Sequence, residues 1–196
     1  AVMNKITAAD LWEARKDCVI LDVRSPGEFL KGHIPGASNL PIFSDEERAR
    51  VGTLYKQTSR EVAFLEGLDF IGPKLRFFIE ETTRLAPDKK ILIHCWRGGL
   101  RSQSIAVLLE AAGFSCQLLE GGYKSYRTHC REVLMAQDAH LILLGGKTGS
   151  GKTDILNELM DLQEQVIDLE GLAHHKGSVF GMLGQEPQPT KEQFEN

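Results

Sequence analysis

Residues 91–113 read "ILIHCWRGGLRSQSIAVLLEAAG". The run Ile91 to His94 has the length and apolar content of a buried strand, while Ser104 to Gly113 carries a helical pattern ending on a glycine, the usual residue after a helix C-terminus. A strand that passes through a glycine loop into a helix is the repeating unit of a parallel α/β fold. Working outward, "VILDV" at 19–23 is a second short apolar run, followed by "RSPGEF", a turn that leads into a helix. "CQLLEGG" at 116–122 is a third strand running into a glycine turn. Together these stretches predict an α/β layer structure with a largely parallel sheet.

Between Pro41 and Pro73 the stretch "IFSDEERARVGTLYKQTSREVAFLEGLDFIG" is too long for an ordinary connection. Its pieces "SDEERARV" and "SREVAFLEGL" suit helices, so a helical insertion beside the loop at 94–102 is expected. A boundary is expected near Ala136 to Ala139, because "HLILLGGKTGSGKT" at 140–153 restarts with a fresh strand. The expected domains are therefore residues 1–136 and 137–196. Only 57 residues run from His140 to Asn196, too few for a complete nucleotide-binding sheet, so the second domain reads as the N-terminal part of a longer P-loop domain. Within it, "VIDLEG" at 166–171 reads as another strand.

Composition narrows the class. With 42% hydrophobic and 26% charged residues, the chain has the profile of a globular protein rather than a disordered one. No apolar run approaches the roughly 20 residues of a membrane span and the N-terminus lacks a signal-peptide pattern, which predicts a cytoplasmic protein without a membrane partner. The net charge of −4 is unevenly spread: residues 1–130 carry 18 Lys+Arg against 16 Asp+Glu, and residues 131–196 carry 5 against 11. An acidic chain is a poor dedicated nucleic-acid binder, yet Lys124, Arg127 and Arg131 gather near the glycine loop with few acids between them. Such a local basic patch can dock a polyanion. Of the four cysteines, Cys18 and Cys116 sit in strand-like apolar stretches and read as small buried hydrophobes, and Cys130 carries no loop signature.

Cys95 is different. It leaves the end of a strand, and Gly98 and Gly99 let successive backbone N–H groups turn inward before the helix begins. Such a nest of amides binds anions. A helix N-terminus and neighbouring guanidinium groups also favour thiolate over thiol. Cys95 is thus a candidate nucleophile, with Arg97 and Arg101 as candidate oxyanion holders and Trp96, Gly98, Gly99, Leu100 and Ser102 completing the anion loop. The second motif is Gly146, Lys147, Thr148, Gly149, Ser150, Gly151, Lys152 and Thr153, which fits G-x-x-x-x-G-K-[ST] after the apolar run "LILL". Its amides would wrap a diphosphate, Lys152 would neutralise it, and Thr153 could ligate Mg²⁺ with Asp168 as a further candidate ligand. No permanent cofactor is expected. The six histidines show no convincing metal spacing. These residues leave open a sulfurtransferase or cysteine-dependent phosphatase joined to an ATP-dependent kinase-like domain, and a binding protein in which Cys95 is a redox sensor. Intact Cys95, Arg101, Lys152 and Thr153 argue against the last.

"LDVRSPGEFLKGHIPGASNLP" at 21–41 resembles the N-terminal signature of rhodanese domains, through Asp22, Arg24, Glu28 and the run Gly32 to Ala37. "LLEGGYKSY" at 118–126 is similar to their closing glycine turn, with a tyrosine near the usual tryptophan position. That resemblance implies a loop cysteine that carries a transferred chalcogen as a persulfide. Cys95 to Arg101 spans seven residues, one more than in simple sulfurtransferases of this type, and matches the Cys-x5-Arg-Ser spacing of cysteine-dependent phosphatases and arsenate reductases. A phosphate-like donor fits that larger pocket: selenophosphate, thiophosphate or a phosphoester.

The seven-residue loop joined to a phosphate loop, with "GTLYKQ" at 52–57 and "DLEGLAHHKGS" at 168–178, resembles the tRNA 2-selenouridine synthase family. The resemblance implies a transferase acting on wobble 2-thiouridine of tRNA, with geranyl diphosphate and selenophosphate as co-substrates and a selenophosphate-producing enzyme as a candidate partner. The charge distribution then points to Lys124, Arg127 and Arg131 as the surface that meets tRNA.

Overall fold

The computed structural model describes residues 3–136, 140–147, 149–178 and 180–196. They form two compact units, one running to Leu134 and including Asn196, the other running from Met135 to Glu195. In chain order the first unit contains β1 (Asn4–Ile6), α1 (Leu11–Ala14), β2 (Val19–Asp22), α2 (Pro26–Lys31), β3 (Ser38–Asn39), α3 (Asp45–Gln57) and α4 (Arg60–Ile71). A 3₁₀ turn, Gly72–Lys74, leads to α5 (Leu75–Leu85), β4 (Lys90–His94), α6 (Leu100–Ala111), β5 (Ser115–Leu119) and α7 (Gly122–Met135). The second unit holds α8 (Lys152–Asp161), α9 (Leu169–Leu172) and α10 (Lys191–Phe194).

The five strands form one parallel sheet in the order β1-β5-β4-β2-β3. The near-continuous apolar runs of β2 and β4 follow from burial on both faces. Successive side chains on a strand point to opposite faces, so Leu21, Ile91 and Ile93 join one core with Phe78, Ile105 and Leu109, while Ile20 and Leu92 join the other with Leu11, Tyr123 and Tyr126. Chain connections leave β2 toward β3 and β4 toward β5, in opposite directions across the sheet. The carboxyl ends of β2 and β4 therefore flank a switch point, where open parallel sheets place their ligands. Cys95 follows β4 at that point.

The helical insertion is present as the pair α3 and α4, each opened by a serine whose side chain accepts a backbone N–H: Ser44 from Glu47, and Ser59 from Val62. Asp45, Glu46 and Glu47 occupy the first turn of α3, where negative charge suits the helix dipole. β1 and β3, of three and two residues, had no sequence signal of their own. They add to a sheet whose central strands already exist.

Two expectations for the second unit require correction. Residues 141–144, "LILL", form no strand, and Ile142 is 99% exposed. A parallel strand exists only through ladder bonds to a neighbour, and no described residue supplies that neighbour. Likewise "VIDLEG" is not a strand: it is unpaired up to Asp168, which caps α9 by accepting the Gly171 N–H at 3.0 Å. The glycine and acid that end the stretch favour a helix start over a ladder.

Candidate functional site

β4 delivers Cys95 to the floor of the loop, where it is 3% exposed with its Sγ 3.3 Å from Ser102 Oγ. The Ser102 hydroxyl also donates to the Gly99 carbonyl at 3.1 Å, which ties the first turn of α6 to the loop. Gly98 adopts φ +66°, a left-handed conformation that lets the chain reverse within the loop, and Gly99 is the N-cap of α6. Leu100 and Arg101 open the helix. Trp96 and Arg97 are exposed on the rim, and Gln103 Nε2 donates to the Gly98 carbonyl at 3.2 Å.

The glycine turn after β5 closes the loop from behind. Tyr123 N–H donates to the Cys95 carbonyl at 2.9 Å and Lys124 N–H to the Trp96 carbonyl at 3.0 Å. Gly122 has φ +63°, and a Cβ there would collide with the Cys95 carbonyl oxygen and lie 2.6 Å from the Gly98 amide nitrogen. Gly122→Ala is therefore expected to cost about 3 kcal/mol, from the left-handed backbone penalty plus overpacking against backbone that cannot yield. Chemical denaturation of the variant checks this. An unchanged midpoint would mean that the loop and the turn are not in contact.

The signature residues Asp22 and Arg24 sit beneath the site rather than in it. Both are buried, and Arg24 Nη2 donates to Asp22 Oδ2 at 2.6 Å and to the Gly32 carbonyl at 2.8 Å, with its guanidinium 3.8 Å from the centroid of the Tyr123 ring. The pair fixes the end of β2 and, through Tyr123, the closing turn. His94 is also fully buried, 3.7 Å from Asp22 Oδ2, and neither ring nitrogen has a hydrogen-bond partner among the described residues. Burial holds its pKa below the usual imidazole value despite the nearby carboxylate, so the contact is one of a neutral ring. Cys18 and Cys116 are small hydrophobes, as their apolar stretches predict: burial raises the Cys116 thiol to about 12, and burial also raises Cys18, which donates to the Ala14 carbonyl at 3.0 Å.

Arg101, a candidate oxyanion holder with Arg97, does not stand free in the structure. Instead it is paired, with Nη1 donating to Glu28 Oε2 at 2.7 Å and Nη2 to Oε1 at 3.4 Å. Glu28 is the residue that reading the sequence passed over, noted only as part of a signature. Burial would raise its pKa, but Arg101, the Ser25 amide and Arg48 outweigh that and hold it below the usual carboxylate range.

Lys124, Arg127 and Arg131 lie three and four positions apart on α7 and so share one face. Tyr123, Tyr126 and Cys130 occupy the neighbouring stripe, which packs on the sheet. The basic stripe starts at the loop itself, because Lys124 bonds to Trp96.

In the second unit, Gly149 and Gly151 have φ +79° and +81°, and Gly151 is the N-cap of α8. Lys152 Nζ reaches back across the loop to the carbonyls of Gly146 and Lys147, both at 3.1 Å. Ser150 N–H donates to the Lys147 carbonyl at 3.2 Å. Thr148 lies outside the described residues. A groove of about 460 Å³ is lined by Gly149, Gly151, Lys152, Thr153, Asp168 and His175. The structure thus brings Thr153 and Asp168 to one groove, and adds His175, whose spacing gave no signal. Among the described residues no three His, Cys, Asp or Glu side chains converge as a metal cage.

Comparison with known proteins agrees with both halves. Residues 7–129 match the rhodanese-like domain and residues 139–196 match the tRNA 2-selenouridine synthase AAA domain. The chain is 40% identical over 186 residues to tRNA 2-selenouridine synthase of Shewanella denitrificans, covering 90% of this chain and 48% of the relative. It is 39% identical over 186 residues to that of Pseudomonas fluorescens, covering 92% and 49%. The chain spans about half the length of the curated relatives it matches. Among solved structures, the N-terminal domain of a Clostridium difficile 630 protein described as ATP/GTP binding superposes with a TM-score of 0.56 at 36% identity, covering 65% of this chain and 97% of that one.

Proposed function

The chain belongs to the rhodanese-like family through residues 7–129 and continues into a tRNA 2-selenouridine synthase AAA segment, and from that premise we propose that it is a tRNA-modifying transferase that replaces the sulfur of wobble 2-thiouridine with selenium. One observation carries the reading: a buried cysteine in a glycine anion loop and a phosphate loop occur in a single chain. No helix among the described residues is long and apolar enough to cross a membrane. A tRNA substrate would put the enzyme in the cytoplasm.

In the first step the thiouridine sulfur attacks C1 of geranyl diphosphate, forming an S–C bond while diphosphate leaves and the base releases its N3 proton to solvent. The loop from Gly146 to Thr153 would cradle that leaving group with its amides and Lys152, with no nucleotide hydrolysis. Thr153 and Asp168 would hold Mg²⁺: they line the same groove, both offer hard oxygen atoms, and Asp168 has one carboxylate oxygen beyond that used to cap α9. The ion, when bound, supplies charge neutralisation for the diphosphate.

In the second step selenium must arrive from selenophosphate, whose selenium is already reduced. A perselenide on Cys95 would need an oxidant, whereas attack by the Cys95 thiolate on phosphorus needs none. The S–P bond forms, the P–Se bond breaks, and hydrogen selenide is released. It then adds at C2 of the base and expels geranylthiolate, which takes up a proton. Water hydrolyses the cysteinyl phosphate. Alkylation of the sulfur comes first because it converts a poor leaving group into a better one.

The tRNA would dock on the basic stripe of α7. Replacing Lys124, Arg127 and Arg131 together with Glu is expected to weaken tRNA binding and to reduce the slope of log affinity against log salt by about two to three units. Filter binding across a salt series measures both. An unchanged slope would move the docking surface elsewhere, for example to the insertion around Lys56 and Arg60.

A further inference from the structure

We propose that Glu28 is a positioning residue for the Cys95 loop, anchored by the helical insertion, and that it aims Arg101 at the bound tetrahedral anion. The inference rests on the anion-site reading of that loop. Arg101 stands at the second position of α6, on a long side chain that would otherwise sample many rotamers. The two-point contact with Glu28 fixes both the position and the plane of its guanidinium. Orientation fixed before the anion arrives is not lost on binding.

Glu28 is itself held on other sides. Its Oε2 accepts the Ser25 N–H at 3.2 Å within the capping box of α2. Arg48, on α3 of the insertion, brings its Nε to 3.6 Å from the same oxygen. That Nε is buried and has no hydrogen-bond partner among the described residues, and the Glu28 carboxylate 3.6 Å away compensates its charge. Asp45 makes a second tie between the insertion and α2, accepting the Gly27 N–H at 2.8 Å and 3.1 Å. The insertion thus reaches the loop through Asp45, Arg48 and Glu28, a route of direct contacts ending on Arg101. Two guanidinium groups facing one carboxylate leave an excess positive charge, so the clamp orients Arg101 without cancelling its attraction for an anion.

The sign of one substitution separates positioning from plain electrostatics. Removing the negative charge of Glu28 should tighten anion binding if charge alone matters, and weaken it if orientation matters. Sulfate is the probe, titrated while the amide resonances of Trp96 to Arg101 are followed. Glu28→Gln keeps the capping box, which accepts Gln as well as Glu. It is expected to raise the sulfate dissociation constant about tenfold, the size of one lost hydrogen bond between charged groups, and to lower the thermal midpoint, because the charge facing Arg48 and Arg101 is lost; the titration is run below that midpoint. Arg48→Met, which leaves α2 intact, is expected to raise it about threefold, and it decides the matter should Glu28→Gln fail to fold. Equal or tighter sulfate binding in either folded variant overturns the proposal while Arg101→Gln still weakens binding. If wild-type amides do not respond to sulfate, or Arg101→Gln leaves the response unchanged, the anion-site reading itself falls.

Discussion

Cys95→Ala is expected to leave wobble uridine without measurable selenium, a loss of about a thousandfold or more, while geranylation continues at close to the wild-type rate. The size follows from the chemistry assigned to the thiolate. Among the described residues the hydroxyl in contact with the sulfur is that of Ser102, 3.3 Å away, and it is engaged as a donor to the Gly99 carbonyl rather than free to attack phosphorus. The substitution itself is small and buried, so the loop geometry set by Gly98, Gly99 and Gly122 should persist. Mass analysis should then find geranylated thiouridine accumulating in place of selenouridine. Selenouridine at wild-type yield would remove Cys95 from the reaction.

The second large effect is expected at Lys152. Its ammonium now bridges the carbonyls of Gly146 and Lys147, which places it at the centre of the loop that would receive the diphosphate. Lys152→Ala removes a full positive charge from a cradle otherwise built of amide dipoles, and should weaken geranyl diphosphate binding by about a hundredfold. Geranylation should fall in step. Selenation of tRNA that has been geranylated beforehand should survive, because the Cys95 loop belongs to the other compact unit. Calorimetric titration of geranyl diphosphate, paired with selenation of pre-geranylated tRNA, reads both arms. Loss of the second activity as well would mean that the two loops do not work independently.

Much of the first unit was legible because its signals are local. The strand from Ile91, the glycines at 98 and 99 and the helix that follows are adjacent in sequence, and their order alone places Cys95 at the carboxyl end of a central strand. The insertion announced itself through serines and acids that cap and charge the ends of helices. Contacts between distant segments were not legible. Glu28 and Arg101 are 73 positions apart, and no spacing rule joins them. Gly122 was readable as a turn glycine, but its closeness to the Cys95 carbonyl is a property of packing. The run "LILL" shows the converse error: apolar composition allows a strand, but pairing makes one. His175 shows no metal spacing, and although it lies within the stretch at 168–178, its place in one groove with Thr153 is a property of packing.

Thiouridine-containing tRNA is incubated with the protein, geranyl diphosphate and selenophosphate, with no nucleotide present, and its wobble nucleosides are followed by mass over time. 2-Thiouridine is expected first to gain a geranyl group and then to give way to 2-selenouridine, in that order. Unmodified thiouridine throughout, or conversion that begins only when ATP is added and consumed, would contradict it and favour a kinase-like second domain.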